Sequence, residues 1–211
     1  MTITVFGAAY STYTRSVLIA LREKDAAYEL SEVDIFKPLP PEHMARMPWG
    51  KIPVLDHDGF MLYETAAIER YVDESLKGTA LQPTSARDRA RMMQVIGIVD
   101  SYAYKPTVMG LFVQRAAMPK MGHPSDEETI KAALPEVEKA FDAILKVKGQ
   151  GRWVAGDGFS LADLHLAPVV AYLMQTPEGQ AIAKARPALT AWWAEASRRP
   201  SVVQTKSPLE G

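Results

Sequence analysis

Lys51-Ile52-Pro53-Val54-Leu55-Asp56-His57-Asp58-Gly59-Phe60-Met61-Leu62-Tyr63-Glu64-Thr65 is the stretch whose reading decides the fold. Two short apolar runs, Lys51 to Leu55 and Phe60 to Tyr63, flank the turn formers Asp56-His57-Asp58-Gly59, which predicts a β-hairpin. Thr65 follows directly, and Ile68, Val72 and Leu76 then fall on one helical face, so Thr65 is expected to cap a helix. Upstream, Thr2 to Phe6 alternates polar and apolar residues as a strand does. Val17, Leu18 and Leu21 follow Thr14 at helical spacing, and Tyr28 to Val33 reads as a second strand. That β-α-β order predicts a right-handed crossover joining two parallel strands. After Lys37-Pro38-Leu39-Pro40-Pro41 a short helical turn near Glu42 to Arg46 leads into the hairpin. The first 76 residues thus read β-α-β followed by β-β-α.

Beyond Leu76 the pattern changes. Lys77-Gly78-Thr79-Ala80-Leu81-Gln82-Pro83 holds breakers and no periodicity, which marks the boundary between an N-terminal unit, 1–76, and an all-helical unit, 87–211, with 77–86 as linker. Met92, Val95, Val99, Tyr102 and Pro106 step by threes and fours, as do Ile130, Leu134, Val137, Phe141 and Ile144. Breaks are expected at Pro106 and Pro135, because a proline inside a helix removes one backbone hydrogen bond. Ser160-Leu161-Ala162-Asp163 has the spacing of a capping box and opens a further helix. A last helix is expected over Ala188 to Arg199, with a tail from about 201.

Composition narrows the chemistry. The chain has 211 residues, 47% of them hydrophobic, enough for a substantial core. Lys and Arg number 24 against 25 Asp and Glu, so a net charge of −1 gives no overall attraction to nucleic acid or to an anionic membrane. There are no cysteines, which excludes disulfides, thiolate metal sites and a protein thiol nucleophile. Any sulfur chemistry must use a thiol supplied from outside. The four histidines, His43, His57, His123 and His165, lack ligand spacing, so no metal site is expected. The apolar stretch Leu161 to Met174 is too short to span a bilayer, and no basic n-region with an apolar h-region opens the chain. A cytoplasmic protein is the expectation.

Four features occur in register: the β-α-β/β-β-α beginning, Ile52-Pro53 opening a hairpin, Glu64-Thr65 at a helix start, and the later Ser160-x-x-Asp163 box. Together they resemble the cytosolic glutathione S-transferase family over nearly the whole chain. Tyr10 to Leu21 and Pro41 to Gly50 resemble its serine-type branch, called phi. The resemblance implies an α+β thioredoxin-like domain followed by an all-α domain, assembled as a homodimer. It implies glutathione as co-substrate and an activity directed at hydrophobic electrophiles, as in detoxification, with hydroperoxide reduction or isomerisation as other uses of the same thiol.

Site residues follow from the same resemblance. Glutathione must react as a thiolate near neutral pH, whereas a free thiol of pKa about 8.5 is only a few per cent ionised. Ser11, at a loop just before a helix, is placed first as the hydroxyl that donates to the sulfur, then Tyr10, then Tyr13. From spacing alone Ser11 reads first as a plain helix cap, and the resemblance reverses that order. In the family the proline matching Pro53 is cis and presents the backbone of Ile52 to the peptide, much as a strand joins a sheet edge. Glu64 and Thr65 resemble the pair that holds the γ-glutamyl end, and Lys51 adds a polar contact. The His-Lys pair that usually binds the glycyl carboxylate is missing, and only Lys37 could substitute. The acceptor pocket is expected between Tyr10 to Tyr13 and the first long helix, drawing on Tyr102, Met109, Phe112 and Arg115, where an inward Arg115 would favour anionic acceptors. Asp163 is assigned to structure. The alternative is a scaffold relative that binds ligands or proteins without catalysis.

Overall fold

The computed structural model of the chain describes residues 2–210. Its first part is a four-stranded sheet in the order β2-β1-β3-β4, built from β1 Ile3–Gly7, β2 Glu29–Glu32, β3 Val54–His57 and β4 Phe60–Tyr63. β1 and β2 are parallel, as the crossover rule requires, whereas β3 pairs antiparallel with both β1 and β4. The hairpin turn is tighter than its flanking residues suggest. Asp58 and Gly59 alone take positive φ, 51° and 90°, and β3 starts at Val54 rather than Lys51. Three helices serve this sheet: α1 Thr12–Glu23, α2 Pro41–Arg46 and α3 Thr65–Ser75.

The rest is helical. α4 Ala86–Ile98 continues through π-helical turns at Val99–Ala103 and Lys105–Ala117 into the short α5 Met118–Lys120. Then come α6 Glu127–Lys148, α7 Leu161–Leu173, α8 Pro177–Lys184, α9 Pro187–Ala196 and α10 Pro200–Gln204. Every residue of α7 is buried, because it runs through the middle and packs on α1, α4, α9 and the π-helical segment. Its start carries the predicted capping box. Asp163 accepts from Ser160 N, Ser160 Oγ, Val154 N and Trp192 Nε1 at 2.7–2.9 Å. Among the described residues, no helix is long and apolar enough to cross a membrane.

Three expectations need correction. Pro135 does not end its helix, for α6 runs unbroken from Glu127 to Lys148. The carbonyl that Pro135 leaves without a partner belongs to Lys131, on the exposed side where water serves. Pro106 lies near the start of the second π-helical segment, where wider turns absorb the missing donor. The chain after residue 200 is no loose tail: Ser201, Val202, Thr205 and Ser207 are buried. Arg199 grips Glu23 of α1 at 2.5 Å, and Glu210 pairs with Arg15 of the same helix.

Candidate functional site

β1 ends at Gly7, and the chain turns through Ala8 to Ser11 before α1 begins. A Cβ on Gly7 would stand 2.5 Å from Thr14 Oγ1, so only glycine lets the strand end pass this close to the helix. Ser11 is the N-cap of α1, and its Oγ accepts from Thr14 N at 3.2 Å. A hydroxyl that accepts from an amide keeps its own proton free to donate. The cap role and a donor role are therefore compatible.

Ser11 lines a cleft of about 520 Å³ between the sheet-bearing part and the helical part. Lys51, Ile52, Pro53, Glu64 and Thr65 line it too, so five of the six predicted glutathione contacts share one space with Ser11. The Ile52–Pro53 peptide bond is cis. Neither backbone polar group of Ile52 has a backbone partner among the described residues, which leaves an edge that a peptide could join. His43 accounts for the Pro41 to Gly50 segment: it is buried, and its Nε2 lies 3.0 Å from the Lys51 carbonyl, bracing the approach to Ile52.

The α3 terminus differs from expectation. Thr65 is the first helical residue, not the cap; Glu64 takes the cap position at φ 69°, with no side-chain cap bond. A non-glycine residue in this left-handed region is uncommon, and such strain persists where a site needs it. Thr65 and Ala66, the first residues of α3, line the cleft, where a carboxylate would meet the positive end of the helix dipole.

Of the remaining predicted residues, Tyr13 shares the cleft and the others lie elsewhere. Lys37 is exposed and paired with Asp34 at 3.1 Å, outside the cleft. Tyr10 also misses it, its ring packed on Phe36 at 5.6 Å. Tyr13 does line the cleft, but burial and the neighbouring Asp100 charge hold its hydroxyl well above the usual phenol range, making it a weaker donor to a thiolate than an ordinary phenol. None of Tyr102, Met109, Phe112 and Arg115 reaches the cleft. Tyr102 is 65% and Met109 47% exposed, whereas Phe112 is buried, stacked on Tyr172 at 3.8 Å. Arg115 is held by Glu178 at 2.7 Å and by both oxygens of Glu127 at 2.5 and 2.9 Å. The reason is the π-helical stretch: its wider turns rotate side chains away from the face that an α-helical count assigns.

Asp100 and Tyr104 stand there instead, and sequence reasoning missed both. The Tyr13 and Tyr104 rings lie 4.7 Å apart. Behind Asp100 sits His165 of α7, fully buried, with Nε2 2.8 Å from Asp100 Oδ1 and Nδ1 2.8 Å from Glu69 Oε1 of α3. Burial alone would lower the imidazole pKa, but the charge of Glu69 and hydrogen bonds to both carboxylates push it up to about 10. The carboxylates address opposite ring nitrogens and converge on no common point, and no metal-holding group is found among the described residues.

Comparison with known proteins identifies the family. The family models "Glutathione S-transferase, N-terminal domain" and "Glutathione S-transferase, C-terminal domain" match residues 5–79 and 104–200. Glutathione S-transferase F7 of Arabidopsis thaliana is 32% identical over 94% of this chain and 96% of its own length. Among solved structures, glutathione transferase F7 from Populus trichocarpa is 31% identical with a TM-score of 0.84, covering 97% of each chain. Glutathione S-transferase I from mais, in complex with an atrazine glutathione conjugate, is 26% identical, also at TM-score 0.84, over 97% of this chain and 96% of that one. The chain belongs to the glutathione S-transferase family, with its relatives in the phi branch.

Proposed function

We propose that this chain transfers glutathione to hydrophobic electrophiles, with Ser11 as the hydroxyl that stabilises the thiolate. The observation that carries this reading is the single cleft shared by Ser11, the Ile52 edge and the α3 N-terminus. The peptide of glutathione lies along Ile52 and Lys51, and its γ-glutamyl carboxylate meets Thr65, with Glu64 near the ammonium. That pose brings the sulfur to the start of α1, where Ser11 Oγ–H and the helix dipole favour the anion. The thiol proton leaves to solvent. The sulfur lone pair then forms the new bond to the acceptor as the leaving group departs with its electrons, or adds to an activated double bond whose displaced electron pair takes a proton from solvent. Each unit of thiol pKa lowering needs about 1.4 kcal/mol of preferential thiolate stabilisation, within reach of one charged hydrogen bond plus the dipole.

The division into 1–76, a linker at 77–86 and a helical unit at 87–211 supports this reading, because each unit supplies one side of the cleft. A homodimer is part of the proposal. Exposed Trp49, Phe60, Met93, Tyr102 and Met109 supply apolar surface that a second copy would cover, and this gives Tyr102 and Met109 a role away from the acceptor. A monomer in sedimentation at micromolar concentration would overturn that part. A cytoplasmic location suits a chain that works without cysteine. The deciding experiment for the thiolate follows ultraviolet absorbance of bound glutathione against pH in wild type and Ser11→Ala. A lowered thiol pKa in wild type that returns toward about 8.5 in the variant is expected. A solution-like value in wild type would sink the catalytic reading, and a lowered value that survives Ser11→Ala would move the role to Tyr13.

A further inference from the structure

One wall of the cleft carries a charge that the proposed glutathione pose leaves unused. Tyr13, Tyr104 and Asp100 make up this wall, and the Asp100 side chain remains 40% exposed. We infer that this wall is a subsite for an organic cation, so that the preferred acceptor carries an ammonium or similar cationic group near its electrophilic atom. The inference rests on the cleft being the site of glutathione transfer and adds the class of second substrate.

Three observations carry it. The first is charge bookkeeping across the buried network. His165 and Glu69 side chains are both 0% exposed, and their opposite charges cancel. Had Glu69 been apolar, an imidazolium against Asp100 would leave the wall neutral. With Glu69 in place, two carboxylates face one imidazolium, and the surplus negative charge falls at the only member of the three that the cleft can reach. The second is rigidity. His165 Nε2 holds Asp100 at 2.8 Å, so the carboxylate is already oriented before a ligand arrives, unlike a free surface acid. The third is the aromatic pair beside it. Rings 4.7 Å apart, next to a carboxylate, offer a cation both an ion pair and negative ring faces. Burial raises the pKa of both phenols, so they remain neutral beside it. This wall offers no cation to an anionic acceptor, since Arg115 lies outside the cleft, held by Glu127 and Glu178.

The test uses three chloronitrobenzenes that differ at one ring position, bearing aminomethyl, hydroxymethyl or carboxylate. Rates are compared as ratios within wild type and within Asp100→Asn, so that intrinsic reactivity cancels. The ratio of kcat/KM for the ammonium probe to that for the alcohol is expected to fall about fivefold in D100N, in keeping with a partly exposed ion pair. The carboxylate-to-alcohol ratio should rise. Independently of any variant, unreactive benzylammonium should inhibit the wild type competitively against the acceptor, several-fold more strongly than benzyl alcohol. Equal inhibition by the two, or ratios unchanged in D100N, would overturn the inference. A D100N variant that raises KM for glutathione equally with all three probes would also overturn it, assigning Asp100 to glutathione's own ammonium. Failure of the underlying transferase reading looks different: bound glutathione would keep a solution-like thiol pKa whatever the acceptor.

Discussion

Raising the pH from 7 to 9 should weaken the fold through one buried residue. His165 has a folded-state pKa pushed up to about 10 by Glu69 and Asp100, against 6.5 for the ordinary imidazole. The folded protein therefore binds this proton more tightly than the unfolded chain does. Its contribution to stability is complete below about pH 6.5 and is lost as pH rises toward about 10. Inside that window one proton separates the two states, so unfolding free energy falls by up to about 1.4 kcal/mol per pH unit. Across two units this gives about 2 kcal/mol. The phenols of Tyr13 and Tyr104 are raised above their ordinary value and titrate beyond the window, so they do not imitate the effect.

Urea unfolding at fixed protein concentration and at pH 6, 7, 8 and 9 reads this directly. With a slope of about 2–3 kcal/mol/M, the midpoint should fall by about 1 M between pH 7 and 9. His165→Gln supplies the control. It should be less stable at pH 7 by about 3–5 kcal/mol, because Glu69 is left buried without its counter-charge, and its midpoint should be nearly flat over the same range. Parallel decline in wild type and H165Q would refute the assignment, since the proton would then reside elsewhere.

Asp163→Ala should cost at least about 3 kcal/mol in denaturant unfolding, because four donors, including Trp192 Nε1, lose their acceptor in the core. Glu210→Ala should cost about 3 kcal/mol or more by leaving Arg15, whose side chain is 3% exposed, without its buried partner; a loss below about 0.5 kcal/mol would mean that the end of the chain is dispensable. Glu64→Gly should move both ways at once. Relief of φ 69° raises the melting temperature by an amount equivalent to about 1 kcal/mol, while KM for glutathione rises because the side chain is gone; unchanged stability would show that Glu64 carries no backbone strain.

Local signals carried most of the architecture. The Asp-Gly turn, the capping box and the apolar spacing in α1, α3 and α6 each act within a few residues, and each reappears in the structure. One side of the cleft was legible for the same reason: Ile52-Pro53 and Glu64-Thr65, which line it, belong to one continuous segment whose resemblance could be seen. The helical wall of the cleft was not. Its placement depends on π-helical turns after Ile98, and an α-helical count through that region puts Tyr102 and Met109 in the cleft when Asp100 and Tyr104 occupy it. His165 was hidden for a different reason. Its partners lie 96 and 65 positions away, so only the packing of α7 against α3 and the π-helical segment brings the three together.

The polar contacts that bind the two parts of the molecule converge on the helices that carry the site. Glu69 lies on α3, one turn past Thr65, and His165 holds it. Tyr172 donates to the carbonyl of Tyr10 at 2.5 Å, directly before Ser11, and Ser207 at 2.7 Å braces the same hydroxyl. Arg15 and Glu23, on α1, are held by Glu210 and Arg199. A hydroxyl donates well to a thiolate only when held within a few tenths of an ångström of its working position, and α1 has no charged side chain in the cleft to do this from the sheet side. The helical part therefore does more than wall the cleft: it fixes the two helix N-termini that border it. Loosening at α7 or α10 should reach the thiolate before it reaches the sheet. The cleft is in this sense a property of both parts, although most of its lining comes from the first.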